Sequence, residues 1–140
     1  CNTIPTPEGG THEAGIRGAL TKGMRHFGEL AKNKRAATIT TEDILGGAVA
    51  ILSLFIRDPQ FQGQTKDKLV SGEATRLVEN AVRDRFDLWL SSNTAQSQKL
   101  LAFLIDRAEE RLRRKQAKDV SRKAITQKLR LPGKLADCTK

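Results

Sequence analysis

The 140-residue sequence predicts an α+β fold, a small mixed sheet backed by helices and followed by a long basic C-terminal helix. Three observations carry this expectation. The run Val49 to Ile56 is apolar except for Ser53, and Val49, Ile51 and Ile56 are β-branched, which favours a strand buried on both faces. Three other stretches repeat apolar residues every three or four positions, the spacing of a helix packed on one side. The charge is uneven: residues 1–106 carry 13 basic and 12 acidic side chains and residues 107–140 carry 12 and 4, so nearly all of the net +9 lies in the last quarter.

The chain opens on Cys1-Asn-Thr-Ile-Pro, a strand-like start without methionine, which leads us to expect a piece of a longer protein. Pro5, Pro7, Gly9 and Gly10 then form a rigid turn leading to Thr11, the expected N-cap of a helix over residues 11–32 with Ile16, Leu20, Met24 and Phe27 as its apolar stripe. Gly15, Gly18, Gly23 and Gly28 weaken this helix unless another backbone packs closely against it. Thr40-Thr-Glu-Asp43 reads as the cap of a short helix that stops at Gly46-Gly47, just before the apolar run.

Pro59 has no N–H to donate and ends the expected strand. Gly63 permits a turn, after which Gln64, Thr65 and Lys66 present an amide, a hydroxyl and an ammonium in succession, a tip suited to phosphate. Ser71-Gly72 leads into a second helix with Leu77, Val78, Ala81, Val82, Phe86 and Trp89 on one face, broken at Asn93. A third helix from Thr94 is expected to bury Leu101, Leu104, Ile105, Ala108 and Leu112. It then loses its apolar stripe and gains Arg111, Arg113, Arg114, Lys115 and Lys118, so it should leave the body as an exposed basic arm. Leu131-Pro-Gly133 marks a break, which divides the chain into residues 1–112, 113–130 and 131–140.

A hydrophobic content of 38% is ordinary for one soluble domain, and 4% aromatic content implies an aliphatic core. Two cysteines at opposite ends, no signal peptide and no apolar run near the roughly 20 residues of a membrane span point to a reducing cytoplasm and no membrane partner.

Independent catalysis is hard to assemble from these residues. His12 and His26 stand fourteen positions apart on one helix, outside any CxxC or HExxH context, and read as ordinary surface or core histidines. Gly133-Lys134 lacks the preceding glycine and the following Ser or Thr of a P-loop. Asp106, Glu109 and Glu110 are interspersed with arginines and read as a paired, solvated face. On composition alone Gln64-Thr65-Lys66 is either a surface loop or a site, and the basic arm either a solvated helix or a nucleic-acid contact.

Three stretches are more specific. Asn2-Thr-Ile-Pro-Thr-Pro-Glu-Gly-Gly-Thr-His-Glu-Ala-Gly15, Asp58-Pro-Gln-Phe-Gln-Gly-Gln-Thr-Lys-Asp-Lys-Leu69 and Leu131-Pro-Gly-Lys-Leu-Ala-Asp-Cys138 resemble, in that order, motifs of the B subunits of bacterial type II DNA topoisomerases. Cys1-Asn2, Asp58-Pro-Gln-Phe61 and Leu88-Trp-Leu90 resemble the topoisomerase IV branch more than the gyrase branch.

The resemblance implies a transducer region at 1–112, a basic helical linker at 113–130 and the start of a Toprim domain at 131–140, downstream of a GHKL ATPase domain. In that family the glutamine and lysine of the Gln-Thr-Lys loop reach the ATP γ-phosphate, which gives Gln64 and Lys66 the catalytic role. It further implies ATP and Mg²⁺ as cofactors of the parent protein, with neither bound by this stretch alone. The implied partners are DNA, the A subunit in an A2B2 heterotetramer, and the chain's own ATPase and Toprim domains. Arg113, Arg114, Lys118, Arg122, Lys123 and Lys134 are the candidate DNA contacts. The competing expectation is a stand-alone basic helical nucleic-acid-binding protein with no nucleotide role.

Overall fold

A computed structural model describes residues 1–128. Its elements are helix α1 (Thr11–Leu30), a 3₁₀ turn (Lys34–Thr38), a short helix α2 (Thr41–Leu45), strands β1 (Phe61–Gln62) and β2 (Lys68–Leu69), helix α3 (Gly72–Ser92) and helix α4 (Thr94–Lys128). The two strands pair antiparallel with Phe61 opposite Leu69 and Gln62 opposite Lys68, and Gly10 adds a parallel bridge to Leu69. The architecture is therefore α+β, mostly helical, with a very small sheet.

The main packing is α1 against α3. The most buried line on α1 is His12, Gly15, Ala19 and Gly23, whereas Ile16, Leu20 and Phe27 of the expected stripe are only half-buried. Gly15 explains the choice: a Cβ there would lie 2.6 Å from the Thr75 carbonyl oxygen and 3.0 Å from Val78 Cβ, so only glycine lets the two backbones approach this closely. The close backbone approach expected from the glycines is found at Gly15, whereas Gly23 faces the Phe86 side chain, Gly28 faces Ala36, and Gly18 has only the Glu79 side chain at 3.5 Å. Thr11 is not the N-cap, because that position falls to Gly10 and the Thr11 hydroxyl is buried without a partner.

The core lies below this contact, where Met24, Ile39, Leu90, Leu101, Leu104 and Ile105 come together from α1, the residue after the 3₁₀ turn, α3 and α4. On α3 the inward line is Ala74, Val78 and Leu90, while Leu77 and Ala81 are exposed and Trp89 stacks on Phe86 near the surface. The expected apolar face was thus rotated, because the glycine line of α1 draws the small Ala74 and Val78 inward. Asn93 ends α3 as anticipated. Along α4, Leu101, Leu104, Ile105 and Ala108 are buried, Leu112 is exposed, and residues 113–123 are all exposed, so the helix does leave the body as a basic arm.

The apolar run is the largest departure from expectation. Val49–Ile56 forms no strand, and Val49 and Ile51 are 98% and 94% exposed. A strand buried on both faces needs neighbours on both edges and a layer above and below. Leu52, Leu54 and Ile56 are half-buried, but among the described residues the run's backbone hydrogen bonds go to Asn2 alone, whose N–H donates to the Leu54 carbonyl at 2.8 Å and whose side chain donates to the Ile56 carbonyl and accepts from its N–H. The strand-like opening at Cys1 is also absent, since Asn2 and Thr3 adopt left-handed backbone angles in a turn closed by the Ile4 N–H on the Cys1 carbonyl. The break at Leu131-Pro-Gly133 and the segment 131–140 lie outside the described residues.

Candidate functional site

The stem of the Gln-Thr-Lys loop is the β1–β2 hairpin, not the apolar run. Its base is anchored deep: Leu69 is fully buried, its N–H donates to the Gly9 carbonyl at 3.1 Å, and the Glu8 N–H donates to the Asp67 carbonyl at 3.0 Å. On the other side the Val70 N–H donates to the Gln60 carbonyl and the Gln60 N–H to the Ser71 hydroxyl, both at 2.8 Å. Five residues, Gly63 to Asp67, are thereby hung from a closed frame tied to the start of α1. A two-stranded hairpin alone is marginal in water, so these outer bonds are what give the loop a defined root.

At the tip Gln64, Thr65 and Lys66 are all exposed. Gly63 turns with φ +74°, and Lys66 itself is left-handed at φ +57°, which costs a non-glycine residue roughly 1 kcal/mol or more. The Lys66 ammonium sits 6.0 Å from the centre of the Phe61 ring, a cation–π contact at the edge of its useful range. Lys66 and Phe61 line an open cleft of about 670 Å³ together with Asn2, Ile4, Asp58 and Pro59. Asp58, like Lys66, has a left-handed backbone. Such outliers cluster where surrounding structure forces them, and with Asn2 three of them line one cleft.

The basic arm carries the second set of candidates. At about 100° per residue along α4, Arg114, Lys118 and Arg122 fall on the face of Arg107 and Arg111, while Arg113 and Lys123 point elsewhere. Arg114 and Lys118 line an open cleft of about 620 Å³ between α2 and α4, with Arg107, Arg111 and Lys115. Arg114 is ion-paired to Glu110 and Glu109 lies 3.2 Å from Arg35 of the 3₁₀ turn, so two of the three acidic residues are paired as expected, while Asp106 is exposed with no ion pair among the described residues. Lys134 lies outside the described residues. The structure therefore brings together two of the six basic candidates, on an element far along the chain from Lys66.

Sequence reasoning missed the most tightly built polar group. Asp43 is 4% exposed, and its carboxylate accepts from the Thr40 N–H at 2.8 Å, the Thr40 hydroxyl at 2.9 Å, and Arg111 Nε and Nη2 at 2.9 and 3.2 Å. Burial opposes its ionisation, yet the Arg111 and Thr40 hydrogen bonds and the Arg111 charge outweigh that and hold the carboxyl below the usual carboxylate range; Asp43 in turn raises Arg111. The sequence signal was half legible: Thr40 to Asp43 reads as a cap, but nothing local marks Arg111 as its partner. His12 is buried with Nε2 3.2 Å from the Thr6 hydroxyl, and burial lowers its pKa; His26 is exposed.

Among the described residues no three His, Cys, Asp or Glu side chains are placed to hold a metal ion, and no helix is long and apolar enough to cross a membrane. The loop offers an ammonium and an amide, which fit the terminal phosphates of a nucleotide, but not a carboxylate set for Mg²⁺.

Residues 1–120 match the family model described as DNA gyrase B. The chain belongs to the DNA gyrase B family. Within it, the chain is 59% identical to the B subunit of DNA topoisomerase 4 from Caulobacter vibrioides and 56% identical to that from Bartonella bacilliformis, in each case over 99% of this chain and 20% of the relative. The corresponding topoisomerase 4 protein of Salmonella typhimurium is 43% identical over 99% of this chain and 22% of its own length. The chain thus spans about a fifth of these curated relatives. A solved structure, the topoisomerase IV ATP binding domain of Francisella tularensis in complex with a small molecule inhibitor, superposes with a TM-score of 0.65 at 28% identity, over 78% of this chain and 31% of that one. The resemblance to type II topoisomerase B subunits, and to the topoisomerase IV branch, is upheld by these gyrase B family relatives.

Proposed function

We propose that this chain is the transducer stretch of a bacterial topoisomerase IV B subunit, and that it couples ATP binding and hydrolysis to the passage of one DNA duplex through another. The observation that carries the proposal is the anchored hairpin that holds Gln64 and Lys66 exposed at its tip. An ammonium is a compact charge suited to a terminal phosphate, and a neutral amide beside it adds a weaker donor. A contact made to ATP and lost with ADP supplies a free-energy difference between two states, the requirement for shifting a domain angle.

In this reading residues 1–112 form the transducer body, 113–130 the basic linker and 131–140 the start of a Toprim domain. ATP contributes the reactive phosphate, held mainly by a preceding ATPase domain, and Mg²⁺ is a cofactor of the parent protein through which no role of these residues is derived. The partners are DNA and the A subunit, in an A2B2 assembly in the bacterial cytoplasm at the nucleoid. Arg114 and Lys118, sharing one cleft, are the better-placed DNA contacts, with Arg113, Arg122, Lys123 and Lys134 as further candidates along the arm. The stand-alone nucleic-acid-binding alternative leaves the built hairpin without a use.

Hydrogen exchange on the full-length protein tests the nucleotide role. Amides of residues 62–67 should be protected by a non-hydrolysable ATP analogue and released with ADP. Equal protection by both ligands, or none by either, would refute a γ-phosphate contact at this loop.

A further inference from the structure

The α2 corner is tied to more of the molecule than a five-residue helix requires. Arg111 of α4 grips the buried Asp43 carboxylate through two nitrogens and donates a third hydrogen bond to the Thr38 carbonyl at 3.0 Å. From the opposite side Arg25 of α1 donates two bonds to the Ile39 carbonyl, at 2.9 and 2.6 Å, and the Thr21 hydroxyl lies 3.0 Å from that of Thr41. One turn before Arg111, the Arg107 guanidinium lies so close over Gly46 and Gly47 that a Cβ at either would come within 2.8 or 2.7 Å of its nitrogens. The corner leads directly into Val49–Ile56 and on to the hairpin. It is bolted to α4 at the point where that helix leaves the body.

We infer that the Asp43–Arg111 pair is the joint that transmits displacement of the loop-bearing segment to the basic helix, making Arg111 and Asp43 positioning residues for coupling rather than for nucleotide chemistry. The pair is suited to this because a bidentate guanidinium–carboxylate contact fixes orientation as well as distance. The Asp43 side of the pair is buried while Arg111 is 29% exposed, so breaking the contact strands the carboxylate, not the guanidinium, away from water. A change at residues 49–56 that moved α2 would have to carry Arg111, and with it the arm, or break both hydrogen bonds between the guanidinium and the carboxylate.

This inference rests on the nucleotide reading of the loop, and the experiment separates the two. In the full-length protein assembled with its A partner, strand passage per ATP hydrolysed is compared for wild type, Arg111→Gln, Asp43→Asn, Lys66→Ala and Lys99→Gln, the last an exposed lysine on α4. The ratio should fall at least fivefold in Arg111→Gln and in Asp43→Asn and stay at the wild-type level in Lys99→Gln. Arg111→Lys, which keeps the charge but offers one donor nitrogen in place of the two-nitrogen fork, should recover part of the loss. A smaller fall in either variant, including a proportional loss of hydrolysis and passage, would overturn the inference. So would failure of both variants to fold, which would make the pair purely structural. Lys66→Ala reports on the other reading: normal hydrolysis in that variant would refute the nucleotide role of the loop whatever the ratio in the other variants.

Discussion

The same substitution at two glycines three residues apart should move stability in opposite directions. At Gly15 a Cβ would press on the Thr75 carbonyl at 2.6 Å and on Val78 at 3.0 Å, and a backbone oxygen cannot step aside as a flexible side chain can. Overpacking of this kind costs about 1–3 kcal/mol, offset by up to about 1 kcal/mol of improved helix propensity, so Gly15→Ala should lose about 1–2 kcal/mol. At Gly18 the nearest atom is the Glu79 carboxylate at 3.5 Å, an ordinary contact, so Gly18→Ala should keep most of the propensity gain, about 0.5–1 kcal/mol. Equilibrium urea unfolding of the 140-residue chain at constant slope gives both values. If Gly15→Ala were as stable as the parent chain, the close α1–α3 approach would be wrong.

Other outcomes follow from the core and the charges. Leu104→Ala removes a side chain 2% exposed in the main cluster and should cost about 3 kcal/mol in the same urea experiment. Asp43→Asn should be destabilised at neutral pH by about 1–3 kcal/mol. Because the native carboxyl sits below its unfolded value, that deficit should be complete above the unfolded carboxylate pKa of about 4 and shrink as pH falls through the native one; a deficit independent of pH would contradict the ion pair. The isolated chain should not bind ATP measurably by calorimetry, since one lysine and one glutamine on an exposed loop form no adenine pocket, and micromolar affinity would place a nucleotide site within it. It should bind duplex DNA weakly, with affinity falling steeply from low to physiological salt and lost on removal of residues 113–130.

Helices were legible because their signals are local: the Thr40–Asp43 cap, the Asn93 break, the buried Leu101–Ala108 line and the charge shift beyond it all stand as read. The glycines of α1 announced a close neighbour but not which face would meet it, and that face then rotated α3. Val49–Ile56 misled because an apolar β-branched run states only that burial is available, whereas a ladder depends on partner strands elsewhere. The hairpin was missed for the opposite reason: Phe61-Gln62 and Lys68-Leu69 are too short to show a period, and their pairing comes from Leu69, Gly9 and Ser71. At the site, Gln64 and Lys66 were visible as residue types on a glycine turn. The left-handed backbone of Lys66 and the Asp43–Arg111 pair, whose members stand 68 positions apart, belong to tertiary structure alone.

Under the proposed function, Lys66 touches the phosphate that ATP loses. The measurement is ATP turnover by the full-length protein carrying Lys66→Ala, assembled with the A subunit proposed as its partner. Loss of one well-placed donor to developing negative charge costs about 3–4 kcal/mol, so turnover should fall by roughly 10²–10³. Gln64→Ala should fall less, Lys66→Arg should recover only part of the rate, and stability should stay within about 0.5 kcal/mol because the side chain is exposed. A Lys66→Ala enzyme that hydrolyses ATP at the wild-type rate would contradict the role given to this loop.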